Sequence, residues 1–498
     1  MRTSRLLAAA ALAVWTSIPV GAALGNELVI ARPVSPAAMD PGFLREAATI
    51  VDNIFDTLVL RDQDMRLVPG LAESWSAVDD TTWEFKLRPG VRFTNGEPFD
   101  AAAVKFTLDR ILDPAAKSPT ISYIRTIAGV DVVDDLTVRI RTTAPDPLLP
   151  TRMSRYPAYV VPPKYLQEVG PEVFARKPVG TGPYKLTEFV PDDRVVLDAN
   201  PDYWRGKPAI DRVVWRPIPE ATARVVALLT GEVQLIEGVP AEMVDAIGQS
   251  GDADLIQVRN GGLTVYLGLK SAAKPLDDVR VRQALSLAID RKAIVDNLLH
   301  GMATASGTPV GAHDFGYLPI DPPAADPAKA KALLAQAGYP DGFEIQMQAP
   351  RRYINSAEVA QAIVQQFAAI GVKASLDIPE WSVYAQKVPA AQQAPIYMLG
   401  WGSTQTLDAD AATYAILRSG EPYSTVSLPD LDALLDQSRR TIDPAARAEV
   451  LHKIQTVTAE QVPVIPLYQE DSLYAKSKSV DFVGRPDARI PVYDIRLH

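Results

Sequence analysis

The chain has 498 residues, 47% hydrophobic and 22% charged, enough apolar material for two or three lobes with large cores and too much for general disorder. With 50 Lys and Arg against 60 Asp and Glu the net charge is -10, the opposite of what a phosphate-backbone binder needs, so nucleic acid is not an expected partner. The lack of cysteine excludes disulfides, thiolate metal sites, a thiol nucleophile and an N-terminal lipid anchor.

Arg2 and Arg5, the apolar run Leu6–Val14 and the small residues Gly21, Ala22, Ala23 and Gly25 read as a cleavable secretory leader over 1–25. The run is shorter than the ~20 apolar residues that span a bilayer. This predicts a freely diffusing periplasmic protein of a double-membraned bacterium, soluble near the inner membrane and not anchored to it. From Thr82 the residues alternate polar and apolar, Pro89-Gly90 turns the chain, and Val91 and Phe93 resume the period, which predicts a half-buried hairpin. Asp100 is placed to cap a helix whose inner face is Val104, Leu108, Ile111 and Leu112, stopping near Pro114. Gly180-Thr181-Gly182 lacks the third glycine of a dinucleotide loop and reads as a tight chain reversal.

Asp278 and Asp290 read as helix caps, with Ala284, Leu285 and Ala288 as a buried face. Asp326-Pro327 and Asp443-Pro444 each supply a cap followed by proline at the first helical position, and Gly338 ends the first of these helices. A strand over Phe343–Met347, a helix over Ser356–Ile370 and a strand over Val372–Ile378 predict a parallel βαβ unit. A ligand would sit beyond the first strand's carboxyl end, which places Arg351 and Tyr353 at a mouth. The four histidines are scattered, and neither a Walker loop nor a Gly-x-Ser-x-Gly elbow occurs. The pattern therefore favours binding over catalysis, with no metal or cofactor. A secreted hydrolase with a triad assembled from distant positions is the alternative of a different class.

Several segments follow one another in a familiar order: Leu71-Ala-Glu-Ser-Trp75, Trp83 through Phe99, Pro178-Val-Gly-Thr-Gly-Pro-Tyr-Lys185, Asn200-Pro-Asp-Tyr-Trp204, Asp278 through Arg291, and Val464-Ile-Pro-Leu467. In that order they resemble the extracytoplasmic solute-binding proteins of peptide-type ABC importers, the dipeptide-, oligopeptide-, glutathione- and nickel-binding family, over essentially the whole mature chain. The resemblance implies an α/β, three-lobed periplasmic-binding-protein fold that closes on its ligand by a hinge. Lobe I would combine 26–60, 179–267 and 473–498, lobe II would be 61–178 and lobe III 268–472, with the ligand between lobes I and III. It also implies a monomer that delivers a small peptide or peptide-like solute to a membrane permease and its ATPase. Trp75, Trp83, Phe85 and Phe93 are read as core anchors.

The same resemblance supplies candidate ligand residues. In dipeptide binders an Arg-x-Tyr pair grips the ligand carboxylate, and Arg351-Arg352-Tyr353 has that spacing, with Arg352 as the register-shifted alternative. A guanidinium offers a two-pronged donor set for a carboxylate. Relatives neutralise the ligand's amine with an aspartate three residues beyond a Gly-Trp pair; here that position after Gly400-Trp401 is Thr404, which carries no charge. Asp408 and Asp410 are nearby substitutes. Trp401-Gly-Ser-Thr is similar to the glutathione-like branch. Trp401 and Trp381 are candidate cleft walls, and Ala38 and Met39 lie where relatives contact ligand through the backbone. The uncharged Thr404 keeps open an unrelated solute such as an oligosaccharide, an opine-like compound, haem or a nickel chelate.

Overall fold

The computed structural model describes residues 26–44, 48–155, 157–403 and 406–498, so the leader expected over 1–25 and the whole of Thr404 lie outside the described residues. The architecture is mixed α/β, organised on three main sheets. The first is seven-stranded, with Glu27–Arg32 near its middle, parallel to Arg212–Pro217 on one side and to Leu235–Glu237 on the other. The second is a four-stranded antiparallel sheet formed by Ala72–Asp79, Thr82–Leu87, Thr137–Thr142 and Ile127–Asp134. The third is six-stranded: Ala303–Ala305, Val464–Glu470, Thr264–Leu269, Ile396–Trp401, Phe343–Gln348 and Val372–Asp377, in that order.

The local helix signals were accurate because a cap is a short-range device. Asp100, Asp290, Asp326 and Asp443 each accept the backbone N–H three residues on, and Asp278 accepts from Arg280. Phe343–Gln348 and Val372–Asp377 are parallel, with the helix Ser356–Ala369 between them in sequence. The hairpin expected from Thr82 is different. Thr82–Leu87 pairs back onto Ala72–Asp79 and onto Thr137–Thr142, more than fifty residues away, while Val91 and Phe93 are buried in a segment that folds back on Glu97–Phe99 through an Arg92–Pro98 bridge. Alternation identified the strand, but the nearer segment was not its partner. Thr264–Leu269, which spans the boundary expected at 267, is wholly buried and lies between Val464–Glu470 and Ile396–Trp401 in the six-stranded sheet. Ser472, expected in lobe III, starts a strand of the seven-stranded sheet.

The recurrent sequence segments are scaffolding. Thr181 Oγ1, Tyr203 OH and Trp204 Nε1 all donate to the buried Asp56 carboxylate at 2.9 Å. Glu97 accepts from the N–H groups of Lys164 and Tyr165, satisfying the start of the helix Pro163–Phe174. Arg282 and Arg291, both buried, donate to the carbonyls of Gln461, Val462 and Pro466 and tie their helices to the strand Val464–Glu470. Gly180 has no room for a side chain, since a Cβ there would stand 2.1 Å from the Ile54 carbonyl oxygen. Gly180→Ala is therefore expected to destabilise the chain by about 3 kcal/mol or more, read as a lower midpoint in urea unfolding.

The chain passes between the seven- and six-stranded sheets at two adjacent places, between Val258 and Thr264 and between Glu470 and Ser472. Asp471 joins them: its carboxylate accepts from Gln257 Nε2 at 2.6 Å, Arg259 Nη1 at 3.1 Å and the Asn260 N–H at 2.9 Å. Two short crossings bound together at one carboxylate are a suitable place for the φ/ψ changes of a hinge.

Candidate functional site

The edge of the six-stranded sheet nearest these crossings carries the loop 349–355, the end of Ile396–Trp401 and the end of Val464–Glu470. Arg351 and Arg352 are both exposed there. Arg351 has no hydrogen bond or ion pair with a described residue, whereas the Arg352 guanidinium lies 5.4 Å over the Trp381 ring. Trp381 opens the helix Trp381–Lys387 and meets Tyr353 edge-on, with ring centroids 6.3 Å apart. The structure thus brings Arg352, Tyr353 and Trp381 into one patch.

Tyr353 is placed differently from its expected role. Only 8% exposed, it packs in the core of the six-stranded sheet against Gly400, where a Cβ would come within 2.5 Å of its ring. Its hydroxyl has no hydrogen bond of good geometry among the described residues, and burial pushes it up to about 12. Gly400 thus makes room for an aromatic platform beneath the arginines. Trp401 is half-buried: its indole N–H donates to the Ala411 carbonyl at 2.7 Å and its ring lies 4.8 Å from that of Tyr423. Its polar edge is occupied by the protein.

The two substitute acids are engaged elsewhere. Asp408 caps the helix Ala409–Leu417 and receives both Arg447 terminal nitrogens at 2.7 Å, with both side chains 3% exposed. Asp410 receives Arg439 at 2.7 and 2.9 Å. These are internal ion pairs whose cationic partners lie 39 and 29 residues downstream. The Met39 side chain is fully buried in the core of the seven-stranded sheet, and its N–H is bound to Ala175 O. Ala38 is half-buried beside it.

Three charged residues not singled out from the sequence also bear on this region. Arg61, on the strand Val59–Arg61, donates to the carbonyls of Met65 and Thr406, and burial lowers it to about 10. Asp314 accepts from Ser403 Oγ and from the Gly311 N–H, and burial raises it to about 7. Because an unfolded aspartate titrates near ~3.9, folded Asp314 retains a proton that the unfolded chain releases between about pH 4 and 7, so stability falls as pH rises through that window. Asp314→Asn is expected to abolish this fall. Melting temperatures of both proteins from pH 5 to 8 check it, with the difference moving by a few degrees in the variant's favour as pH rises.

Glu470 is the third. Its carboxylate Oε1 accepts from the Ile354 N–H at 2.9 Å, and its pKa is raised chiefly by burial, opposed by that hydrogen bond and by Arg352. The sequence signal was slight: an acid closing the otherwise apolar run Val464–Tyr468.

Residues 66–424 match the family described as bacterial extracellular solute-binding proteins, family 5. This chain belongs to that family. The glutathione-binding protein GsiB of Escherichia coli K12 is 30% identical over 506 aligned residues, covering 98% of each chain. The structure of HbpA2 from Haemophilus parasuis superposes with a TM-score of 0.87 at 28% identity, over 95% of this chain and all of that one. The ABC transporter-associated periplasmic binding protein DppA from Helicobacter pylori, solved with the peptide STSA, gives 0.74 at 26% identity over 95% and 98%. The protein is thus a solute-binding component of transport and not an enzyme. No helix among the described residues is long and apolar enough to cross a membrane.

Proposed function

We propose that this protein is the periplasmic receptor of an ABC importer and captures a small peptide or peptide-like acid between the bodies built on the seven- and six-stranded sheets. The observation that carries the reading is the patch at the hinge-side edge of the third lobe, where Arg352 is held over Trp381 beside Arg351, which has no partner among the described residues. A guanidinium fixed on an aromatic face can take a carboxylate bidentately, and the indole supplies a rigid wall for the rest of the ligand. A glutathione-binding relative and a similar structure solved with a bound peptide point to the same ligand chemistry. The leader-like residues 1–25 support export, and the ligand-closed form would be what a permease and its ATPase engage, with the receptor acting as a monomer. Micromolar affinity corresponds to about -8 kcal/mol, within reach of one enclosed carboxylate anchor plus apolar contact.

A strain lacking this chain is expected to lose uptake of at least one labelled peptide or peptide-like acid and to regain it on complementation. Unaltered uptake across a broad peptide panel would contradict the proposal.

A further inference from the structure

The amine-binding acid expected near Gly400-Trp401 has no counterpart in Asp408 or Asp410, which are paired internally. Another carboxylate, that of Glu470, stands at the same edge of the sheet. Glu470 is held by the crossing itself: its N–H donates to Leu263 O at 2.9 Å and its carbonyl accepts from the Gly262 N–H at 2.8 Å. Its side chain reaches the loop that carries Arg352, with Oε1 on the Ile354 N–H. Among the described residues it makes no ion pair, and its second oxygen takes no hydrogen bond. An ionised carboxylate has room for about four donors, so most of its capacity is unused. The buried hydroxyls of Tyr353 and Tyr468, each within its electrostatic reach, also lack hydrogen bonds of good geometry among the described residues. A half-buried anion with one donor gains most from a cation brought into the closed cleft.

Resting on the receptor reading above, we infer that Glu470 takes the ligand's ammonium group while Arg352 takes a carboxylate. Ile354, which binds Glu470, is two residues from Arg352, and the two charges are within electrostatic reach of each other. That arrangement suits a ligand bearing ammonium and carboxylate on the same carbon, as at the free α-amino-acid head of a γ-glutamyl compound. The termini of an ordinary extended peptide move apart by about 3.4 Å with each added residue.

The test is calorimetric titration of the mature chain with reduced glutathione, with its deamino analogue glutaryl-Cys-Gly, and with simple dipeptides and amino acids. Wild type is expected to bind glutathione at least thirtyfold more tightly than the deamino analogue. In Glu470→Gln that preference should fall below threefold, and Glu470→Asp should restore part of it. The ligand comparison on the wild-type chain needs no substitution and stands whether or not a variant folds. Saturable binding with no preference for the amine, or a preference unchanged in Glu470→Gln, overturns the role of Glu470 and leaves the receptor reading intact. No binding of any compound in the panel overturns both.

Discussion

Replacing Arg352 with alanine is expected to weaken binding of a carboxylate ligand about a hundredfold, equivalent to about 2.7 kcal/mol, because it leaves an anion unpaired inside a closed cleft. Arg351→Ala is expected to cost less than tenfold. The difference follows from preorganisation. Arg352 is already oriented by the Trp381 ring, whereas Arg351 has no partner among the described residues and would lose rotamer freedom on binding. The exposed position of Arg352 means that its removal should leave the melting temperature within a few degrees of wild type, so lost affinity would not be lost folding. Titration of both variants decides the register, and a larger loss in Arg351→Ala would move the anchor by one residue.

The second large effect is on stability. Arg447→Ala removes both hydrogen bonds to Asp408, the bond from Nε to the Ser438 carbonyl and the packing over Phe315. It strands a carboxylate that is 2% exposed, for which the expected cost is about 3–5 kcal/mol, measured by urea unfolding. The same variant separates two roles for Asp408. If Asp408 serves the fold, Arg447→Ala lowers stability while the folded fraction retains its ligand preference. A change below about 1 kcal/mol, with a large shift in ligand preference, would return Asp408 to the binding site.

Sequence and structure agreed where the determining interaction was local. A capping aspartate and its N–H partner are three residues apart, so Asp100, Asp326 and Asp443 were readable. The βαβ unit was readable from its periodicities. The pairing of Thr82–Leu87 was not, because its neighbour Thr137–Thr142 is remote in sequence and the intervening turn signal at Pro89-Gly90 offered a nearer partner. The start of the strand Thr264–Leu269 was not legible, because it is buried on both faces and shows no alternation to mark where it begins. In the site, Arg352 and Trp381 were legible as chemistry, whereas their stacking joins a loop to a helix about thirty residues on. Asp408 and Asp410 looked available because nothing near them in sequence reveals that Arg447 and Arg439 fold back onto them. Glu470 was overlooked for the converse reason: it ends an apolar strand, and only the folded chain brings it beside Arg352.

The most direct measurement is native mass spectrometry of the protein purified from its own periplasm, followed by denaturation to identify what is released. The account predicts one equivalent of a low-mass compound with a peptide or γ-glutamyl linkage and at least one free carboxylate. Release of only a sugar, haem or a metal chelate would contradict it.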